Sequence, residues 1–297
     1  MASRLPGPVT LNAVGDEDPV GVSEQGLIEW VMQQTHINTA FWQAPPWSAF
    51  QGAYRLGLRP IELDTWFSNP ASVRLLHNKR RLLTQQYDAC VAVMPGREAA
   101  QSVLCDLPFT ELANRQYPDF IADVSATVAE DLCLIDAADQ QRLVAACVCA
   151  PSYWCLSEKI GLPLALIHAP VPGLNEALGP RIQRFFAQAP LGQPFTRANW
   201  FVHADDTLFH PSPEGPINTE PQRWFVRSER QTVCRLDDRY VLFGIEVVCE
   251  PLRHIADFPM AREGLQRALL AIPPGRGLEY FGGADKVRRL SHYLGSL

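Results

Sequence analysis

Apolar residues along the chain follow two rhythms in three successive stretches. Between residues 70 and 135 the spacing is helical. Leu75, Leu76, Leu82 and Leu83 share one stripe, and Ser72, just after Asn69-Pro70, predicts its N-cap. A second helix is predicted from Pro95-Gly96 to about Cys105. A third carries Val124, Val128, Leu132 and Ile135, with Glu130 and Asp131 beside the stripe. From residue 141 to 255 the rhythm changes. The run Leu143 to Cys149, closed by Pro151, predicts a strand. A short helix is expected around Ser157 to Ile160, an extended piece over Leu164 to His168 stopped by Pro170 and Pro172, a helix over Arg181 to Ala187, and a strand over Arg197 to His203. The β-branched and aromatic runs 223–236 and 240–250 flank Asp237-Asp238-Arg239 and predict a β-hairpin. Arg227, Glu229, Arg230 and Gln231 sit in the middle of its first strand, a charge row that points to a solvated face or a lined cavity. Beyond it, Ala261, Leu265, Leu269 and Ile272 restore the helical stripe, and Asp285 to Leu294 predicts the last helix.

Helices, then an antiparallel sheet with short helices, then helices again define an α+β chain. Residues 1–55, rich in Pro, Gly and aromatics, are expected to form an irregular arm, and 56–297 a single domain with helical extensions. In the arm, Trp42, Pro45, Pro46 and Trp47 are expected to cover apolar surface.

Composition narrows the function classes. With 20% charged residues and a net charge of −6, the chain has no basic field for nucleic acid. Lys79-Arg80-Arg81 is expected to be a solvated helix face. No apolar run is long enough to span a bilayer, and Met1 to Gly15 lacks the pattern of a signal peptide. Eight cysteines without framework spacing fit a reducing compartment, so a cytoplasmic location is expected, with buried inert thiols in place of a zinc site.

No Gly-rich phosphate loop, nucleophile elbow or Cys-x-x-Cys-His heme attachment is present. Longer strings carry the information. Cys149-Ala150-Pro151-Ser152-Tyr153-Trp154 runs through Glu158-Lys159-Ile160-Gly161 to Ile167-His168-Ala169-Pro170-Val171-Pro172. Around it stand Gly57-Leu58-Arg59-Pro60 with Trp66, Tyr117-Pro118-Asp119-Phe120, Glu130-Asp131-Leu132, Arg197-Ala198-Asn199-Trp200 and Arg227-Ser228-Glu229-Arg230-Gln231-Thr232. This ordered set, spread over residues 50 to 295, resembles the heme-dependent oxidative N-demethylase family. The resemblance implies a PAS-like antiparallel sheet flanked by helices, heme b against one face, and oxygen chemistry at an amine. Relatives of this kind demethylate small secondary amines or oxidise a free side-chain amine, and the strings do not separate the two branches. It also implies a small amine substrate, O2, and an external electron donor such as a separate reductase, because no flavin, nicotinamide or iron–sulfur motif is present.

Under that resemblance His168, pinned by Pro170 and Pro172, becomes the axial metal ligand. Taken alone it is more simply a turn histidine bonded to backbone. His203 is the next choice and Cys149 a thiolate alternative. The propionates call for cationic partners, with Arg227, Arg197, Arg230 and Lys159 as candidates. Glu158, Asn199 and Ser152 are the candidate catalytic polar groups. Glu158 with Trp154 or Trp200 is the candidate amine pocket, although a helix-end Glu and packed tryptophans account for the same residues. A PAS-like heme sensor or binding module is the competing class, but no output domain or linker helix is legible.

Overall fold

The β-hairpin forms as the residue pattern predicts. β6 (Phe225–Arg235) and β7 (Tyr240–Pro251) pair antiparallel over their whole length, from Phe225↔Pro251 to Arg235↔Val241. Their turn closes because Asp237 Oδ1 accepts the Arg239 and Tyr240 amides at 2.8 and 2.6 Å. The computed structural model of the chain describes residues 37–49, 55–68, 71–107, 110, 113 and 115–297. Residues 1–36, with most of the expected arm and His36, lie outside the described residues, as does Asn69-Pro70.

Around the hairpin, β1 (Arg59–Pro60), β2 (Val91–Val93), β3 (Asp131–Asp136), β4 (Arg142–Cys147) and β5 (Phe195–His203) complete a seven-stranded antiparallel sheet in the order β1-β5-β6-β7-β3-β4-β2. Counting β3 to β7 as one to five, the central order is 2-1-5-4-3. The α+β class expected from the element order is the observed one.

The predicted helix through Val124, Val128, Leu132 and Ile135 divides differently. α4 ends early (Phe120–Ser125), and 131–136 is β3. Every residue of β3 is buried, because β4 and β7 flank it and both its faces are covered. A strand buried on both sides shows no polar alternation, so its apolar spacing coincides with that of a helix. Leu164–Ile167, expected to be extended, is one helical turn, α5, with His168 as its C-cap. The predicted helix to Cys105 is a 3-10 segment, Glu98–Asp106.

One face of the sheet packs Leu132, Leu134, Val144, Cys147 and Leu242 against α2 (Val73–Gln85) and α4. Ser72 caps α2 as predicted, accepting the Leu75 amide. Lys79 is not on a solvated face. It is buried, and its ammonium donates to Ser125 Oγ and to the carbonyls of Val128, Ala129 and Glu130, with Asp131 Oδ1 3.8 Å away. The other face packs Cys133, Ile135, Val233 and Val241 against α6 (Leu174–Gln188) through Leu178, Ile182 and Phe186.

Residues 38–49 form the short helix α1 (Thr39–Gln43) and a 3-10 turn. Trp42 and Trp47 do cover apolar surface. Trp47 Nε1 donates to Ala261 O on α7 (Pro259–Leu270) at 2.8 Å, and its ring lies where a Cβ on Gly264 would come within 3.0 Å. α8 (Arg276–Tyr280), α9 (Ala284–Ser296) and α3 (Tyr87–Cys90) complete the helices among the described residues. None of these is long and apolar enough to cross a membrane.

Glu250 on β7 ties α1 to the sheet. It is buried and accepts Asn38 Nδ2 at 2.9 Å, while Asn38 Oδ1 caps α1 through the Phe41 amide. Burial pushes the Glu250 carboxyl up to about 7. The folded chain therefore binds this proton more tightly than the unfolded chain, and stability falls as pH rises between the unfolded value and about 7. Glu250→Gln is expected to flatten this loss by on the order of 1–3 kcal/mol between pH 5 and pH 8. Urea denaturation at both pH values checks it, and parallel profiles for the two proteins would refute it.

Candidate active site

The strand order brings the end of β4, the loop after it and the middle of β6 together. Asp131, at the start of β3, accepts the Cys149 and Ala150 amides at 2.9 and 2.7 Å. Arg227 on β6 takes the same loop from its carbonyl side. Its Nη2 donates to Ala150 O (2.8 Å), Pro151 O (3.3 Å) and Leu208 O (2.9 Å), its Nη1 to Thr207 O (3.0 Å), and its Nε to Ser152 Oγ (2.8 Å). The side chain is wholly buried, 0% exposed. Every N–H of the guanidinium has an acceptor, so Arg227 is a clamp on two loops and has no donor left for a propionate.

Beyond Ser152, Tyr153 adopts a left-handed backbone (φ 65°), a conformation costly for a residue with a Cβ. The Tyr153 amide donates to His210 O at 2.8 Å, and the ring stacks on His203 at 4.4 Å. His203 is 1% exposed, and neither ring nitrogen has a hydrogen-bond partner among the described residues. Burial, then the Arg227 and Lys286 charges, depress it to about 2, so it stays neutral.

Strand alternation sends Arg227, Glu229 and Gln231 to one face, next to Arg197 and Asn199 of β5. These last four and Ser152 line part of a cavity of about 2440 Å³ that runs between the sheet, α5 and α6 and extends past residues 209–217 to the C-terminal helices. Typical small-molecule sites hold roughly 300–1,000 Å³, so there is space for a large planar cofactor and a second ligand. The floor is apolar, with Cys133, Val233 and Phe243, and Ile182 and Phe186 stand over it.

His168 lines the cavity from α5. Its backbone is fixed at both ends, the amide on Leu164 O (2.9 Å) and the carbonyl accepting the Val171 amide (2.9 Å). Its half-buried ring makes no hydrogen bond to any described residue. Burial, with Arg197 adding to it, holds the imidazole below its usual pKa and keeps a nitrogen lone pair available at neutral pH. Arg197 also lines the cavity, and its buried Nε has no partner. Burial lowers its pKa while Glu229 opposes the shift. A neutral imidazole and a partnerless guanidinium on one cavity suit a metal-centred anion.

The remaining candidates separate. Lys159 and Trp154 line the cavity, Trp154 against its apolar wall. Glu158 reaches only the rim and is exposed, so it is no buried partner for a cation. Trp200 also contributes to the cavity lining, but it alternates with Asn199 along β5, and its ring packs on Trp47 (5.4 Å) and Phe281 (5.5 Å). Arg230 is on the far face of the sheet, donating to the carbonyls of Thr65 and Trp66 and pairing with Glu130 at 3.4 Å, which removes it from the cavity. Cys149 belongs to the core on that same far face. Glu229 and Gln231, expected only as members of a charge row on a solvated face or a lined cavity, do line the cavity. Their signal was the alternation from Arg227.

A family model described as "Haem-dependent oxidative N-demethylase, alpha subunit-like" matches residues 119–288, more than half of the 297 residues. The chain belongs to this family. The match takes in His168, Arg197 and the whole of β6. Comparison with curated proteins gave no match.

Arg227→Lys keeps one charge but cannot reach acceptors on two loops at once. It is expected to lower the unfolding free energy by about 2–4 kcal/mol, as for other broken buried networks. Urea denaturation measures this, and a change below about 0.5 kcal/mol would show that the clamp is dispensable.

Proposed function

We propose that this protein binds heme b in the cavity beneath α5 and α6 and oxidises an amine there, by N-demethylation or N-oxygenation. The observation that carries the reading is the pairing, inside the family-matched region, of a half-buried His168 held below its usual pKa with a half-buried Arg197 whose buried Nε has no partner, both lining one large cavity. The central strand order 2-1-5-4-3 is that of PAS-like sheets and supports the fold expected of such a heme site.

His168 is the residue that holds the iron, and the fixed backbone of α5 and Val171 orients its ring. Arg197 meets a propionate through its free donors, with Lys159 as a second cationic partner on the wall. When bound, heme supplies oxygen activation, with electrons from a separate donor protein. The chain's own residues form the rest of the site. Ser152 and Asn199 place a hydroxyl and an amide on the cavity wall, both donating to Glu229, next to an apolar floor. Ser152, held by Arg227, keeps a fixed position from which a proton can be handed on.

Heme added to the purified apo-protein is expected to give a stoichiometric Soret band, and its absence would refute the reading. His168→Ala is expected to shift that band and to weaken heme affinity at least about tenfold. An unchanged spectrum would remove His168 as ligand while leaving heme binding intact. With an electron donor and an amine panel, formaldehyde release identifies N-demethylation, and a hydroxylamine or nitro product identifies N-oxygenation.

A further inference from the structure

Glu229 is a carboxylate without a counter-cation. It is 7% exposed and lines the cavity. Its Oε1 accepts Ser152 Oγ at 2.6 Å, and its Oε2 accepts Gln231 Nε2 at 2.8 Å and Asn199 Nδ2 at 3.3 Å. All three donors are neutral. Among the described residues, no lysine, arginine or histidine nitrogen comes within 4.0 Å of it. Of the two nearby arginines, Arg227 reaches Glu229 only through Ser152, and Arg197 makes no ion pair with it. A buried carboxylate ordinarily sits against a cation or gives up its charge. Here neutral donors orient the group with no cation in contact, Arg197 acting on it only from a distance, and a carboxylate offers about four acceptor sites.

The amide groups around it extend the same arrangement. Asn199 and Gln231 turn their NH2 ends toward Glu229, and their carbonyl oxygens accept nothing from any described residue. This part of the wall therefore presents a carboxylate and two open neutral acceptors, with the unpartnered Arg197 Nε on the neighbouring strand opposite Gln231. The apolar side chains of Val233, Phe243 and Ile245 lie next to it on the same sheet face.

We propose that Glu229 is the substrate-recognition residue, binding the protonated nitrogen of a primary or secondary amine in a subsite completed by Asn199 and Gln231. This rests on the amine-oxidase reading above and adds to it the charge state and valence of the substrate. The ligand enters as an ammonium with at least one N–H for the carboxylate, and its carbon substituents lie on the apolar floor. A quaternary ammonium has the charge but no N–H, and an ether has neither. Both are discriminated against. Charge-assisted hydrogen bonds in a buried site are strong enough to set this selectivity.

Calorimetric titration tests it, using heme-loaded protein and, in parallel, protein without added heme. The probes are methylammonium, dimethylammonium and n-butylammonium, with tetramethylammonium and dimethyl ether as controls. In the wild type at least one N–H-bearing ammonium is expected to bind tenfold or more tightly than both controls. Glu229→Gln is expected to weaken that binding about thirtyfold or more while the Soret band stays in place, and Glu229→Asp to restore part of it. In turnover the glutamine variant raises KM more than it lowers kcat. Equal affinity of wild type and Glu229→Gln, or no preference for N–H-bearing cations in the wild type, would overturn the proposal. The second comparison needs no variant, so it decides the matter even if Glu229→Gln fails to fold. A wild type that binds the ammonium without a Soret band would instead overturn the heme reading and leave the Glu229 subsite standing.

Discussion

The buried Arg227 guanidinium is the constraint on which the site depends. A single side chain on a central strand bonds the carbonyls of Ala150, Pro151, Thr207 and Leu208, which belong to two loops far apart in sequence. Asp131 holds the first of those loops from the amide side, and Lys79 stands beside Asp131. The loop that carries Ser152 and Tyr153 is thus gripped by two buried charges of opposite sign. Removing either leaves the other side's polar groups buried and unpaired, a far larger penalty than losing a surface ion pair. That rigidity allows Tyr153 to keep its left-handed backbone and Ser152 to sit between Arg227 and Glu229.

From this fixed edge the cavity acquires a division of charge. His168, held below its usual pKa, and Arg197, whose buried Nε lacks a partner, face the space, while Glu229 faces it as a carboxylate held by neutral donors. Arg197 and Glu229 influence each other across the wall without forming an ion pair. Two uncancelled charges near an apolar floor are unfavourable in the empty protein and favourable once ligands of matching charge are bound. The stability given up at such a site is returned on binding, as expected where function places polar groups inside a core.

The sequence-stretch that misled and the one that informed differ in burial. β6 and β7 were legible because β-branched and aromatic residues flank an Asp-rich turn, and the charge row at 227–231 already hinted at a lined cavity. α2, α7 and α9 were legible because each is amphipathic, with one stripe buried and the rest exposed. β3 was not, since a strand covered on both faces has no polar side to mark its period. α5 was not, since a four-residue apolar run between prolines does not distinguish one helical turn from a strand.

By itself the sequence determined the α+β class, the hairpin, the amphipathic helices and, through ordered strings about His168 and β6, the family. These depend on local propensity and on side-chain types in order, which a chain displays without folding. The tertiary structure decided which charges are bonded within the fold and which face the cavity. Arg227 and Arg230 are the same residue type three positions apart, yet one is used up on loop carbonyls and the other lies on the far face. Arg197, unremarked among four cations, is the one whose Nε has no partner. Glu158 was the expected carboxylate and is exposed, whereas Glu229 is buried on the wall. A carboxylate's role depends on what surrounds it, and in this sheet the surroundings come from β4, β5 and β6 meeting across gaps of 30 to 77 residues in the chain.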